Sequence, residues 1–269
     1  MLYFYYPVHL YNMEENQMLV KTMRPFGFLV VMMAMTSLAC LGLNRTPTPA
    51  PTLPPPPTEL PQQPTQVEPT PSPQAAEKFF TEEFEGNLSN WTYFNVLGSP
   101  ETNETGLNLE VVDGYLSFDI TTKELYTYVT YNPFTYKDVA IELRAENQGT
   151  NNNAIGMVCR YSDEGWYEIN VQNNGLYKIF AATYNASGDI VYNFLADGGS
   201  NKIKVGKEVN DYKMVCKDRT ISLYINGFET RVLDDNQYVL PEGQVGFSVA
   251  SFSDPTVKVR IDWVKISQP

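Results

Sequence analysis

Histidine, the usual side chain for acid–base and metal chemistry near neutral pH, is nearly absent from this chain. Its only histidine, His9, lies in an apolar N-terminal stretch, which argues against a Ser-His-Asp triad, a His-ligated zinc or an imidazole base in the folded part. Carboxylates remain. Cleaving a glycosidic bond with them takes two, roughly 5 to 9.5 Å apart across the bond. Glu142 and Glu146 fall on one strand face, as many solvated carboxylates do. A second constellation surrounds Trp166. Strand alternation puts Trp166, Glu168, Asn170 and Gln172 opposite the inward Tyr167, Ile169 and Val171. Pairing across the Asp163–Gly165 turn is expected to bring Arg160 near Glu168. Pairing across the Asn173–Gly175 turn brings Lys178 near Glu168 or Asn170. An aromatic ring beside amides and a cation suits a sugar: the ring covers its apolar face and the polar groups bond its hydroxyls. The alternative is a charged cross-strand ladder on a solvated face. Asp234 and Asp235 with Asn236, or Asp262 with Glu82, Glu83 or Glu85, could offer oxygens to a structural calcium. Calcium takes about six to eight such ligands, and no loop here has EF-hand spacing. No other cofactor is expected.

These side chains need β-strands to position them. Period-two runs rich in Tyr, Val, Ile, Phe and Thr recur after residue 75, and helical periodicity is nearly absent. The expected inward residues are Ile155, Met157, Cys159 and Tyr161; Tyr167, Ile169 and Val171; Val245, Phe247 and Val249; and Val257, Val259, Ile261 and Trp263. Asn226-Gly227 supplies the two positive-φ positions of a type I′ hairpin, predicting that Ile225 faces Phe228, Leu223 faces Thr230 and Ile221 faces Val232. Short turns between such runs predict an all-β sandwich of two antiparallel sheets. A parallel sheet would need crossover helices that the sequence lacks.

The rest of the chain is segmented. Lys21 and Arg24 precede an apolar run, Phe26 to Leu43, containing Ser37-Leu38-Ala39-Cys40. This is the plan of an export signal. Met18 or Met23 suits a translation start, in which case residues 1–17 are not made. Cys40 resembles a bacterial lipobox cysteine, although Ser37 stands where that pattern favours Leu. Lipidation at Cys40, ordinary cleavage and an uncleaved membrane anchor are the three readings, and each puts the remainder outside the cytoplasmic membrane. Residues 1–43 are thus read as signal or anchor. Twelve of the nineteen prolines crowd between Pro47 and Pro73, so residues 44–76 read as a disordered, extended linker. Residues 77–269 form the domain. Formal charge is −12, which disfavours nucleic acid as a partner. Sequons at Asn87, Asn90, Asn103 and Asn185 would matter only in a eukaryotic secretory pathway. Cys159 and Cys216 occur in similar contexts, Met-Val-Cys-Arg and Met-Val-Cys-Lys, in step with inward residues. In an oxidising compartment they would form a disulfide; otherwise they are two buried thiols.

The run from Phe84 and Asn87–Trp91 through Val112–Leu116, Asp138–Arg144, Ala154–Tyr161, Trp166–Ile169, Leu223–Gly227 and Gln244–Phe247 to Ile261–Val264 resembles the concanavalin A-like, laminin G-like jelly roll. It is similar in particular to bacterial 3-keto-disaccharide hydrolase-type modules. The resemblance covers nearly all of residues 75–269 and rests on core apolars, turn glycines and strand ends. It implies a jelly-roll fold and recognition of carbohydrate or another extracellular polymer. The Glu-x-Asp-x-x-Glu strand motif of jelly-roll endoglucanases is missing; Glu142-Leu143-Arg144-Ala145-Glu146 is its nearest relic. The leading expectation is a non-catalytic, surface-anchored lipoprotein domain binding glycan or cell-surface polymer. The alternatives are a hydrolase of 3-keto-disaccharides or related glycosides, and a structural or adhesion domain without a small ligand. Oligomeric state is left open.

Overall fold

The computed structural model describes the backbone of residues 8–12 together with residues 76–86 and 88–269. The expectations for Lys21, Arg24, Cys40, the sequon at Asn87 and the proline-rich segment lie outside the described residues. Sixteen strands follow in chain order: β1 (Val8–Asn12), β2 (Phe80–Glu82), β3 (Trp91–Leu97), β4 (Leu107–Val112), β5 (Tyr115–Ile120), β6 (Leu125–Tyr136), β7 (Val139–Asn147), β8 (Asn153–Ser162), β9 (Gly165–Gln172), β10 (Leu176–Tyr184), β11 (Ile190–Gly199), β12 (Val209–Lys217), β13 (Thr220–Ile225), β14 (Phe228–Asp234), β15 (Gly243–Ser251) and β16 (Val257–Ser267). The one helical element among the described residues is a 3₁₀ turn, Glu104–Gly106.

The strands form two antiparallel sheets. Sheet I has the order β1-β3-β6-β15-β8-β9-β10-β11, and sheet II has β14-β13-β12-β7-β16-β5-β4 with β2 added against β16. The expected sandwich is present. Its main core lies between the sheets, where Phe118, Ile141, Leu143, Met157, Ile169, Leu223, Phe247 and Ile261 are buried together. Those residues sit at alternate positions of their strands, as a sheet with one face on a core requires. The Cys159 and Cys216 pair is a disulfide, with Cα atoms 6.7 Å apart. It ties β8 of sheet I to β12 of sheet II.

Four expected inward or facing positions are corrected by β-bulges, which insert one residue and reverse the phase beyond it. The pairing of β8 with β9 shifts after Cys159, so Tyr161 leaves the main core and packs on the other face of sheet I. The pairing of β16 with β7 shifts between Ile261 and Trp263. Val264 and Ile266 therefore point inward, and Trp263 lies outside under the Arg144 guanidinium, 5.5 Å from its ring centroid. In the β13–β14 hairpin Asn226 and Gly227 adopt the expected positive φ, at 51° and 80°. Ile225 faces Phe228 as predicted, but a shift between Leu223 and Tyr224 sets Leu223 opposite Arg231 and Ile221 opposite Leu233.

The disulfide closes a loop with a sequence separation of 57, and chain-entropy reasoning gives such a cross-link about 4 kcal/mol. Replacing both cysteines by serine is expected to lower unfolding free energy by about that amount in a denaturant titration. Equal stability of the two proteins would show that the cross-link adds nothing to the sandwich.

Candidate functional site

The outer faces of the two sheets differ in kind. Sheet II carries ion pairs on a half-exposed surface: Arg144 with Asp211 at 2.8 Å and Lys258 with Asp119 at 2.8 Å. Glu142 and Glu146 belong to this face, at positions paired with Lys213 and Val209 on β12. They flank Arg144 and form no buried acid pair. Sheet I carries a second core on its outer face. Phe94, Val96, Tyr128, Val158, Trp166, Ala182 and Ile190 are buried there, with Tyr126, Tyr161, Tyr184 and Tyr192 packed around them.

Trp166 is at the centre of this second core. Its ring lies 5.7 Å from Tyr128, 5.5 Å from Tyr161, 6.1 Å from Tyr184 and 6.2 Å from Tyr192, edge-on or tilted. Phe94 stacks on Tyr128 at 4.9 Å and on Tyr161 at 5.2 Å. Edge-to-face packing of this kind satisfies the ring quadrupoles as well as burying area. Trp166 does lie on the face opposite Tyr167, Ile169 and Val171. However, it is 0% exposed, so it cannot itself be the ring against which a ligand stacks. The rings with accessible surface are its neighbours.

Beneath the rings lies Glu168, 1% exposed. Trp166 Nε1 donates to its carboxylate at 2.9 Å and Tyr128 Oη donates at 2.9 Å. The Tyr128 proton is committed there, so Tyr192 Oη, 2.8 Å away, donates to Tyr128 in turn. The Asn170 amide also hydrogen-bonds Glu168. Asn170 Oδ1 is buried without a hydrogen-bond partner among the described residues. It crowds Gly156, where an added Cβ would collide with it and with Ser248 Oγ. Burial raises the Glu168 pKa above its ordinary 4.5, against the lowering effect of its three donors. The same burial pushes Tyr126 up to about 12 and raises Tyr128 and Tyr161, with the Glu168 charge adding to the shift at Tyr126 and Tyr128. The phenols are therefore hydrogen-bond donors at neutral pH, not bases.

Arg160 is not part of this face. The bulge that follows Cys159 puts its backbone at φ 56°. Its guanidinium donates to the carbonyls of Lys137 at 2.9 Å, Leu240 at 2.9 Å and Asp218 at 2.7 Å, with Asp138 at 3.6 Å. At 4% exposure it clamps three loops together, and the expected approach to Glu168 does not occur. Lys178 is the exposed cross-strand partner of Asn170, as alternation predicts.

The calcium candidates do not converge. Asp235 accepts from the Tyr167 hydroxyl and from the backbone amides of Gln237, Tyr238 and Val239. Asp234 accepts from Thr220 at 2.8 Å, and Asp262 lies 3.9 Å from Arg144. Glu82 accepts from Trp91 Nε1 and Phe84 N. Their oxygens already serve protein donors, and among the described residues no three His, Cys, Asp or Glu gather to hold a metal ion.

The two antiparallel sheets define a concanavalin A-like jelly-roll fold. Residues 80–265 match the 3-keto-alpha-glucoside-1,2-lyase-like domain, and the chain belongs to that family. No curated protein matches. Among solved structures, a Bacillus subtilis protein of unknown function with a galectin-like fold is similar at TM-score 0.52 and 9% identity, over 70% of this chain and 94% of that one. The Bacillus licheniformis beta-glucanase is similar at TM-score 0.51 and 10% identity, over 72% and 100%. A glycoside hydrolase family 16 endo-glucanase from Bacteroides ovatus is similar at TM-score 0.50 and 12% identity, over 70% and 99%. At these identities the likeness is one of fold.

The raised Glu168 pKa gives stability a definite pH dependence. The folded protein keeps this proton over a window in which the unfolded chain releases it, so the contribution is greatest below the ordinary 4.5 and falls as pH rises toward the folded value. Glu168→Gln removes the charge at nearly constant shape. Denaturation midpoints of wild type and variant should therefore converge at acid pH and separate in favour of the variant as pH rises. A pH-independent gap would contradict the burial of an ionisable group at this position.

Proposed function

We propose that the domain binds glucose-containing glycan on the outer face of sheet I and does so without catalysis. The observation that carries this reading is the aromatic cluster around Trp166. Tyr126, Tyr161, Tyr184 and Tyr192 pack around a cluster whose Trp166 and Tyr128 donate to a buried carboxyl group, on a sheet face that a simple sandwich would leave polar. Rings with accessible edges and phenolic donors match the two sides of a pyranose, one apolar and one hydroxylated. The family membership and the glucan-directed names of two structural neighbours agree with a glucose-containing ligand.

A second reading, cleavage of 3-keto-glucosides, comes from the family description. Elimination across C1 and C2 of such a sugar needs a base for the C2 proton, which the ketone acidifies. Glu168 is the carboxylate best placed on this face, but the indole and phenol that donate to it also cover it. That favours binding over catalysis. The same proposal puts the domain outside the cytoplasmic membrane, held through lipid on Cys40 at the end of a proline-rich stalk. Its support is the order of residues: Lys21 and Arg24, the apolar run, Cys40, then Pro47 to Pro73.

Glucose-containing oligosaccharides titrated into the full chain test the binding face. Tyr184→Ala, which removes a ring set 6.1 Å from Trp166 at the rim of the cluster, is expected to weaken binding about tenfold, or about 1.4 kcal/mol. Glu142→Gln on sheet II should leave it unchanged. The reverse pattern would move the ligand to the opposite sheet.

A further inference from the structure

Three strands at one side of sheet I present their outer residues as a grid. On β9 these are Trp166, Glu168 and Asn170; cross-strand from them on β10 are Ala182, Phe180 and Lys178; on β11 they are Tyr192, Phe194 and Asp197. The middle row therefore runs from the buried Glu168 through Phe180 to Phe194. Phe194 is 59% exposed, the most exposed large hydrophobic side chain among the described residues. It sits on β11, the last strand of the sheet order. The Phe180 ring meets Tyr192 at 6.0 Å and Phe194 at 6.3 Å, edge-on in both cases. The aromatic surface thus continues without a gap from the Trp166 cluster to the sheet edge. Lys178 and Asp197, both exposed, face each other in the next row. Two strand spacings, about 9.6 Å, separate β9 from β11, farther than one pyranose ring reaches. An exposed phenylalanine on an edge strand is a solvation and aggregation cost where a lysine would be neutral.

We propose that Phe180 and Phe194 form a second platform that stacks a further sugar ring, with Lys178 and Asp197 bonding its hydroxyls, so that the domain recognises oligosaccharide length. This rests on the glycan reading above and names what that site selects. The occupant is a glucose-containing oligosaccharide lying across β9, β10 and β11. Its apolar ring faces meet the aromatic row, and its hydroxyls meet the charged row.

Calorimetric titration of the full chain with glucose-only oligosaccharides from disaccharide to hexasaccharide, in separate α-linked and β-linked series, tests the proposal. Wild type is expected to bind the hexasaccharide of one series about tenfold more tightly than its disaccharide, and Phe194→Ala to lose that advantage with the disaccharide unaffected. Phe194→Tyr, which keeps the ring, should retain it. Persistence of the length advantage in Phe194→Ala, or an equal loss for both ligands, would overturn the second platform. Wild-type binding with no length advantage would also overturn it while leaving the glycan reading intact. No binding of any member of either series would remove both. If Phe194→Ala changed the sedimentation of the protein and left oligosaccharide binding alone, the patch would belong to a contact between copies of the chain, and the proposal would fall.

Discussion

Glu168 is a carboxyl group held out of water on the outer face of a sheet, and the character of that face follows from it. A buried carboxylate is costly unless strong donors surround it. Here the donors are Trp166 Nε1, Tyr128 Oη and the Asn170 amide. Each donor fixes the ring or amide that bears it. The Trp166 indole cannot rotate without breaking its bond, and Tyr128 is held between Glu168 and Tyr192. Three half-buried tyrosines, Tyr161, Tyr184 and Tyr192, then pack against that indole. The result is a preorganised aromatic surface supported by a polar unit beneath it, which is what a recognition site needs from its scaffold.

Sheet I consequently has a core on both faces: its central strand β8 is buried along most of its length, whereas β7, central in sheet II, alternates between buried and partly exposed residues. In sheet II the outer face is spanned by surface ion pairs, each worth little to stability. The asymmetry puts a charged ladder on sheet II and an aromatic surface on sheet I. The clamp around Arg160 and Asp235 holds loops and the Tyr167 hydroxyl in place and is no part of the Trp166 cluster.

Much of this was legible in the residues. Alternation placed Tyr167, Ile169 and Val171 inward and Trp166 and Glu168 on the opposite face, and the Asn226-Gly227 turn and the Cys159 to Cys216 pairing follow from local chemistry. The misplaced residues, Tyr161, Trp263 and the Thr230 partner, all lie just past a bulge. A bulge inserts one residue for reasons set by neighbouring strands, and period-two counting has no sign of it. The aromatic cluster was missed because its members are distant in sequence: Tyr128 and Glu168 are 40 residues apart, and Tyr128 and Tyr192 are 64 apart. One signal was available. In β6 and β10, bulky apolar or aromatic residues occupy both phases of the alternation, as with Tyr126, Tyr128, Val129 and Tyr131, or Ile179, Phe180 and Tyr184. Strands buried on both faces read this way.

The central claim is that Glu168 holds the aromatic face in shape and does no chemistry on what binds there. Incubating the full chain with a 3-keto-α-glucoside disaccharide, while following the disaccharide and its fragments by chromatography, tests this most directly. The account predicts that the disaccharide is recovered intact at high protein concentration. Consumption of the disaccharide by wild type, lost in Glu168→Gln with its fold retained, would contradict it and make Glu168 a catalytic residue.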